Sequence, residues 1–332
     1  MNLIVTEDVF NADDLTLRLL DQIIDRVEDG VHRIEIKGAD RLKESEFYLK
    51  ARPGRQRFLL GAASRIPTHR GSRRTHLGDV VIDSPDAVIE ARKIAYTPLT
   101  LLVEDREADG VLIEIMINKL ASLEMRELWD FAFKATPAGI EITTAGGVNA
   151  MPQRISRILS EVNINKALRL IVICDSDNRW PLDPNNSSQN SIDEIKKLCV
   201  SSNIRFHVLN KRTAENYIPD EVFIAASEFH GNLSHKPRFL ALLERTALQR
   251  DHFPIKDGMS DAERESVVKA GFYSATEIAH LHLLKERLFP KRPRLMLTVY
   301  REYLDAITAA GLQARDGSGE FDDIMNLFSI EL

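Results

Sequence analysis

LRLIVICDSDNRWP, Leu168 to Pro181, decides the fold of this chain. Leu168 and the run from Leu170 to Cys174 are apolar or β-favouring without alternation, and they lead into Asp175-Ser176-Asp177 and a polar loop. A strand buried on both faces of a parallel sheet reads this way, with carboxylates at its carboxyl end. In an extended chain residues two apart project to one side about 6–7 Å apart, so Asp175 and Asp177 would set like charges in one crevice. Such a pair favours a cation. Taken alone, the same aspartates could be loop-starting residues that accept backbone hydrogen bonds.

The flanks repeat the pattern. LTLLVED, Leu99 to Asp105, follows Pro98 and reads as another buried strand, ending in Glu104 and Asp105. From Arg106 to Leu120, Val111, Leu112, Ile115, Met116 and Leu120 fall at helical spacing. GIEITTAGG, Gly139 to Gly147, reads as a strand closing on a Gly-Gly turn, ahead of a helix from Asn149 to Val162. Past the central strand come a polar loop from Asn178 to Asn190, a helix from Ser191 to Ser202 and a strand from Ile204. This β-α repetition predicts an α/β fold with a mostly parallel, doubly wound sheet, whose ligand crevice lies at the carboxyl ends of its strands. Glu104, Gly146, Gly147, Asp175 and Asp177 would meet there.

At 332 residues, with 44% hydrophobic and 28% charged residues, the chain has the composition of a globular protein of more than one unit. Three regions are expected: a small α+β unit over 1–95, the parallel sheet over 96–225 and a helical region over 226–332. In the first, Asp13 or Asp14 caps a helix carrying Leu15, Leu19, Leu20, Ile23, Ile24 and Val27, and β-like runs start at Val31, Ser45 and Arg57. In the last, helices are expected over 239–248, 262–270, 275–288 and 295–310, the fourth ended by Gly311. Cys174 and Cys199 form no metal or disulfide pattern and fit a reducing compartment. Glu7 and Asp8 stand where a signal peptide needs its apolar stretch, and no run reaches membrane-spanning length, so a cytoplasmic location is expected.

The net charge of -6 argues against a uniformly basic coat, yet no acidic residue occurs between Phe47 and Gly78. Lys50, Arg52, Arg55, Arg57, Arg65, Arg70, Arg73 and Arg74 all fall in that interval. A solvated loop could carry them; eight cations without a local anion suit phosphate contact equally well.

The order strand-Glu104, Gly-Gly turn, strand-Asp175-x-Asp177 resembles the topoisomerase/primase (Toprim) metal fold. KRTAENYIP, Lys211 to Pro219, is similar to the Arg-x-x-Glu-Asn-Tyr segment of Toprim nucleases of the OLD (overcoming lysogenization defect) type, and a weaker echo reaches HFPIKDGM, His252 to Met259. The likeness covers about 98–223. It departs in Asp105, which follows Glu104 where glycine is usual, and in Ala108, where many members are acidic; Glu107 or Asp109 could substitute.

The resemblance implies metal-assisted hydrolysis of a phosphodiester in DNA or RNA. Glu104, Asp175 and Asp177, with Glu107, would hold one or two Mg²⁺ or Mn²⁺ ions, whose hard character suits carboxylate oxygens. Lys256 would face charge building on the phosphorane or leaving group, unless it is simply a surface lysine in a turn. Glu215 joins the catalytic set and Arg212 the nucleic-acid contacts by the same likeness; a structural ion pair between the two is the alternative. His252, His280 and His282 lack zinc spacing and are expected to be structural.

No GxxxxGK[ST] phosphate loop occurs. OLD proteins usually join their Toprim domain to an ATPase, so the resemblance implies a stand-alone nuclease subunit regulated by a separate ATPase partner, with a role in prokaryotic anti-phage defence. The apolar stripes of the carboxy-terminal helices predict a surface for docking or self-association. Two other readings stay open: an inactive Toprim scaffold that binds nucleic acid or a partner, and a receiver-like domain with Asp175 as phosphoacceptor. Replacing Arg70, Arg73 and Arg74 together by Ala is expected to flatten the salt dependence of duplex-DNA binding by about 0.9 log-log unit per lost phosphate contact. An unaltered slope in filter-binding titrations would return them to a solvated loop.

Overall fold

The computed structural model describes residues 2–64, 79–163, 166–229, 236–256, 258–281 and 295–331. Two parallel sheets organise them. The first joins β1 (Asn2–Val5), β2 (Arg33–Ile36) and β3 (Asp79–Ile82) in the order β2-β1-β3. The second joins β4 (Leu99–Val103), β5 (Ile140–Thr144), β6 (Leu170–Cys174) and β7 (Arg205–Val208) in the order β5-β4-β6-β7.

All five residues of β4 and of β6 are buried, which is why neither alternates in sequence. Their side chains still alternate in space. Leu99, Leu101, Val103, Ile171 and Ile173 enter one core, while Leu102, Leu170, Val172 and Cys174 enter another on the opposite face. Helix Met151–Glu161 and helix Gln189–Ser201 cover the second face through Ile155, Ile158, Ile192 and Ile195. Helix Val111–Leu120 covers the first. Helices on both faces make the sheet doubly wound, as expected.

The carboxy-terminal helices close the first face further. Phe239, Leu242, Leu295, Val299, Leu312, Ile324 and Phe328 share one core with β4 and β6. Among the described residues these apolar positions pack into the core on the sheet, while Leu240 and Leu248 of the same region stay exposed. The fourth expected helix also divides. Leu295–Tyr303 ends, a short turn follows, and Ala309–Asp316 restarts behind a Thr308 cap whose hydroxyl accepts the Gly311 N–H at 2.9 Å. Gly311 therefore sits inside a helix, where its missing side chain admits the Glu221 carboxylate.

The first unit mixes helices and strands as expected, but its sheet is parallel and two of its anticipated strands are helices. Ser45 caps Glu46–Lys50 by accepting the Tyr48 N–H at 3.2 Å, and the run at Arg57 lies within helix Pro53–Ser64. Cap and proline signals outweigh the β-like composition. Part of the basic interval finds its anions elsewhere in the fold: Arg55 meets Asp21 at 2.9 Å, Glu28 at 3.1 Å and also Asp25, all on helix Asp14–Glu28, while Lys50 pairs with Glu46. Arg70, Arg73, Arg74 and His282 lie outside the described residues.

No helix among the described residues is long and apolar enough to cross a membrane. Ile171→Ala, at a fully buried position on β6, is expected to lower unfolding free energy by about 2–5 kcal/mol. A change well under 1 kcal/mol in urea denaturation would contradict that core assignment.

Candidate active site

Strand order reverses between β4 and β6, since β4 continues outward to β5 and β6 outward to β7. The crevice outside such a switch point is where open α/β sheets bind ligands. Glu104 leaves β4 there and Asp175 leaves β6. One oxygen of Glu104 accepts the Asp175 N–H at 2.9 Å, so the two strand ends are bridged directly. The Gly146 N–H, at 3.1 Å, and the Thr144 hydroxyl both donate to the Glu104 carbonyl, and Gly146 and Gly147 have φ of 82° and 114°. This left-handed turn, cheap only for glycine, folds the end of β5 over Glu104.

Asp175 accepts the Ala214 N–H at 3.1 Å. The neighbouring Ser176 hydroxyl donates to the Lys211 carbonyl at 2.7 Å, and the Asp177 N–H donates to the Arg212 carbonyl at 3.0 Å. Asp177 has φ 54°, so the chain is no longer extended and the strand spacing expected for Asp175 and Asp177 does not apply. Asp177 nonetheless raises the affinity of both Asp175 and Glu104 for protons through its charge. Its carboxylate accepts the Ser188 hydroxyl at 2.6 Å.

Asp109 and Glu215 complete the cluster. Arg106–Gly110 forms a π-helical turn, a local widening that recurs at functional sites. It turns Asp109 inward, 2% exposed, to accept the N–H groups of Glu104 at 2.9 Å and Asp105 at 3.0 Å. Glu215, 3% exposed, lies on the short helix Ala214–Tyr217, whose capping box joins Thr213 and Asn216. Burial, then the charges of Asp109 and Asp177, push Glu104 up to about 8. Burial foremost, with Glu215 adding to it, pushes Asp109 up to about 7 against its backbone hydrogen bonds. Asp175 is held well above the carboxylate range by burial and then by Asp109, Glu104, Glu215 and Asp177.

The remaining expected residues are placed as follows. Glu107 is half-buried in the π-helical turn, and its N–H donates to Asp105 at 2.9 Å. Arg212 pairs with Glu263, which corrects the ion pair considered with Glu215. Lys256 is exposed in the turn after helix Ala247–Asp251. That turn is fastened near the site: His252 Nδ1 lies 2.8 Å from the Asn178 carbonyl, and Asn216 donates to the Phe253 carbonyl at 2.8 Å. Burial keeps His252 neutral, in line with a structural role. Sequence reasoning left Asp109 as an alternative to Glu107 and overlooked Ser188. The apolar neighbours Ala108, Gly110 and Val111 are the signal that Asp109 points inward.

The donor set is carboxylate oxygen throughout, which fits a hard divalent ion. Among the described residues no group of three or more His, Cys, Asp or Glu side chains is already arranged around a common ion position. One oxygen each of Glu104, Asp109 and Asp175 accepts backbone N–H groups. A nearby cavity of about 550 Å³, lined by Lys211, Asp251, Arg315 and Glu320, contains none of these carboxylates. Its charges compensate one another, with Asp251 accepting from Lys211 and, at 2.8 Å, from Arg315. No protein-family description, curated protein or solved structure matches the chain.

Groups whose folded pKa is raised bind protons that the unfolded chain, with carboxyl pKa values near 4, has released. Stability therefore falls as pH rises toward the folded pKa. In chelator, melting temperature is expected to drop as pH rises from about 5 toward about 8, because over this range the folded protein keeps protons on Glu104 and Asp109 that the unfolded chain has released. Mg²⁺ should restore it, and Asp175→Asn should make the drop shallower. A flat or rising profile in chelator would contradict the coupling.

Proposed function

We propose that this chain is a divalent-metal-dependent phosphodiester hydrolase acting on nucleic acid. The observation that carries the reading is the meeting of Glu104, Asp109, Asp175, Asp177 and Glu215 at the β4/β6 switch point, where the other four raise the proton affinity of Asp175. Burying that much negative charge favours no fold by itself; a bound cation would relieve it. The likeness to Toprim nucleases of the OLD type adds the substrate class.

In this reading Glu104, Asp175 and Asp177 hold Mg²⁺ or Mn²⁺, with Asp109 or Glu107 and Glu215 at the margin. A bound ion of this kind lowers the pKa of water and stabilises charge on phosphate oxygens. Glu104 orients the attacking water. Asp109 fixes the turn that presents Glu104 by holding two successive N–H groups. Lys256, in its tethered turn, approaches the departing oxygen. Arg212, and Arg70, Arg73 and Arg74 beyond the described residues, contact substrate phosphates. An ATPase partner, a cytoplasmic location and a defence role belong to the same proposal through the family likeness.

Purified protein is expected to cut at least one of plasmid, linear DNA, total RNA or tRNA with Mg²⁺ or Mn²⁺ and none with chelator. Asp175→Ala and Asp177→Ala should each lower the rate by more than about a hundredfold, beyond what losing an outer-shell partner costs. Asp177→Ala should melt no lower than wild type in chelator, because it removes a charge felt by Glu104 and Asp175, while Asp175→Ala, which also removes the acceptor of the Ala214 N–H, should keep its folded circular-dichroism spectrum. Full turnover in both variants would overturn the assignment.

A further inference from the structure

The loop leaving the site contains a residue that works against the fold. Trp180-Pro181-Leu182-Asp183 closes as a β-turn, with the Asp183 N–H donating to the Trp180 carbonyl at 3.2 Å. Leu182 has φ 58°. A turn with proline second and positive φ third favours glycine or asparagine at the third place. Leucine is strained there, and this one is also 92% exposed, the most of any large apolar side chain among the described residues. Neither strain nor exposure stabilises the native state, and strain held in place by its surroundings is characteristic of functional sites.

The surroundings do hold it. Arg179 grips Asp183 with two bonds of 2.6 and 3.0 Å, and its guanidinium lies 4.7 Å from the centre of the Trp180 ring. Asn186 donates to the Ser176 carbonyl at 2.7 Å, and Ser188 donates to Asp177 at 2.6 Å, so the far end of the loop is fastened back to the Asp175–Asp177 segment. Trp180 packs partly against the main core. Leu182 is five residues beyond Asp177 and so lies at most about 18 Å from it, a reach of about five stacked nucleotides.

We propose that Leu182 is an apolar wedge that packs on or between bases of the nucleic acid beside the carboxylate site, with the Arg179–Trp180 pair as its platform. Apolar side chains inserted at base steps and arginine or aromatic stacking surfaces are the recurring means of gripping unstacked bases. Asp183, the acid in the turn, is neutralised by Arg179, so it does not repel a polyanion. This inference rests on the nucleic-acid hydrolase reading and assigns its base contact.

Leu182→Gly and Leu182→Asn separate the wedge from a structural role. Both remove the strain, so melting temperature is expected to stay level or rise. Affinity for labelled single-stranded and duplex oligonucleotides, by fluorescence anisotropy, should fall about tenfold, within the range for losing one base contact. KM should rise while kcat changes little. Trp129 is 5% exposed, so quenching on binding reports Trp180 and should weaken in both variants. A lower melting temperature makes Leu182 structural and overturns the inference, as does unchanged oligonucleotide affinity, including the case where only capture of a protein partner is lost. Metal-dependent cutting by wild type with unaltered variants defeats the wedge alone; a wild type that cuts and binds nothing defeats the hydrolase reading as well.

Discussion

Two neighbouring strands without a wet face set the terms for the larger part of this molecule. β4 and β6 are buried along their whole length, so both sides of the second sheet have to be roofed by apolar helices. Helix Val111–Leu120 shares its side with helix Leu123–Lys134 and the carboxy-terminal helices. With both faces roofed by apolar side chains, the strand ends are the place where charge can be set without breaking the core. The switch in strand order between β4 and β6 opens a crevice at those ends, and Glu104 and Asp175 are the residues that leave the sheet there.

The same burial gives the carboxylates their chemical character. An acid in water at neutral pH is ionised and unremarked by its neighbours. Glu104, Asp109 and Asp175 have lost that solvation, and each feels the charge of others. Backbone N–H groups at the starts of turns supply part of the compensation, through Asp175, Glu104, Asp105 and Ala214. The compensation is incomplete, because carboxylate pKa values remain raised despite those bonds. That cost of ionising the cluster is the ground on which a bound cation is proposed.

The carboxy-terminal helices also reach the site through the Asn210–Tyr217 segment. That segment grips Asp175, Ser176 and Asp177. It is held in turn by Glu320, 1% exposed at the start of the last helix, which accepts the Asn210 N–H at 2.7 Å and the Tyr217 hydroxyl and lies 2.7 Å from His207 Nε2. Burial and the adjacent Glu320 charge keep the Tyr217 phenol protonated, so it remains a donor. A distant helix is thus part of the scaffold of the carboxylate cluster.

Some of this was legible in the chain. Unbroken apolar runs at Leu99 and Leu170, each ending in acids, specify buried parallel strands and place Glu104 and Asp175 at their carboxyl ends. The Gly146-Gly147 turn was legible for the same local reason, that only glycine adopts those φ values cheaply. Short elements were not: β1 and β3 have four residues each, and the runs at Ser45 and Arg57 are helices because capping and proline placement outweigh side-chain β-preference. Partnership between distant residues was least legible. Arg55 finds its anions on Asp14–Glu28, Arg212 finds Glu263 and the Phe239 to Phe328 stripes find the sheet. By itself the sequence determined which segments are buried and which acids follow them, since those depend on neighbours along the chain. The tertiary structure alone decided that Asp109 turns inward, that Asp177 leaves the strand path and that Glu320 anchors the site, because burial and charge coupling depend on residues far apart in sequence.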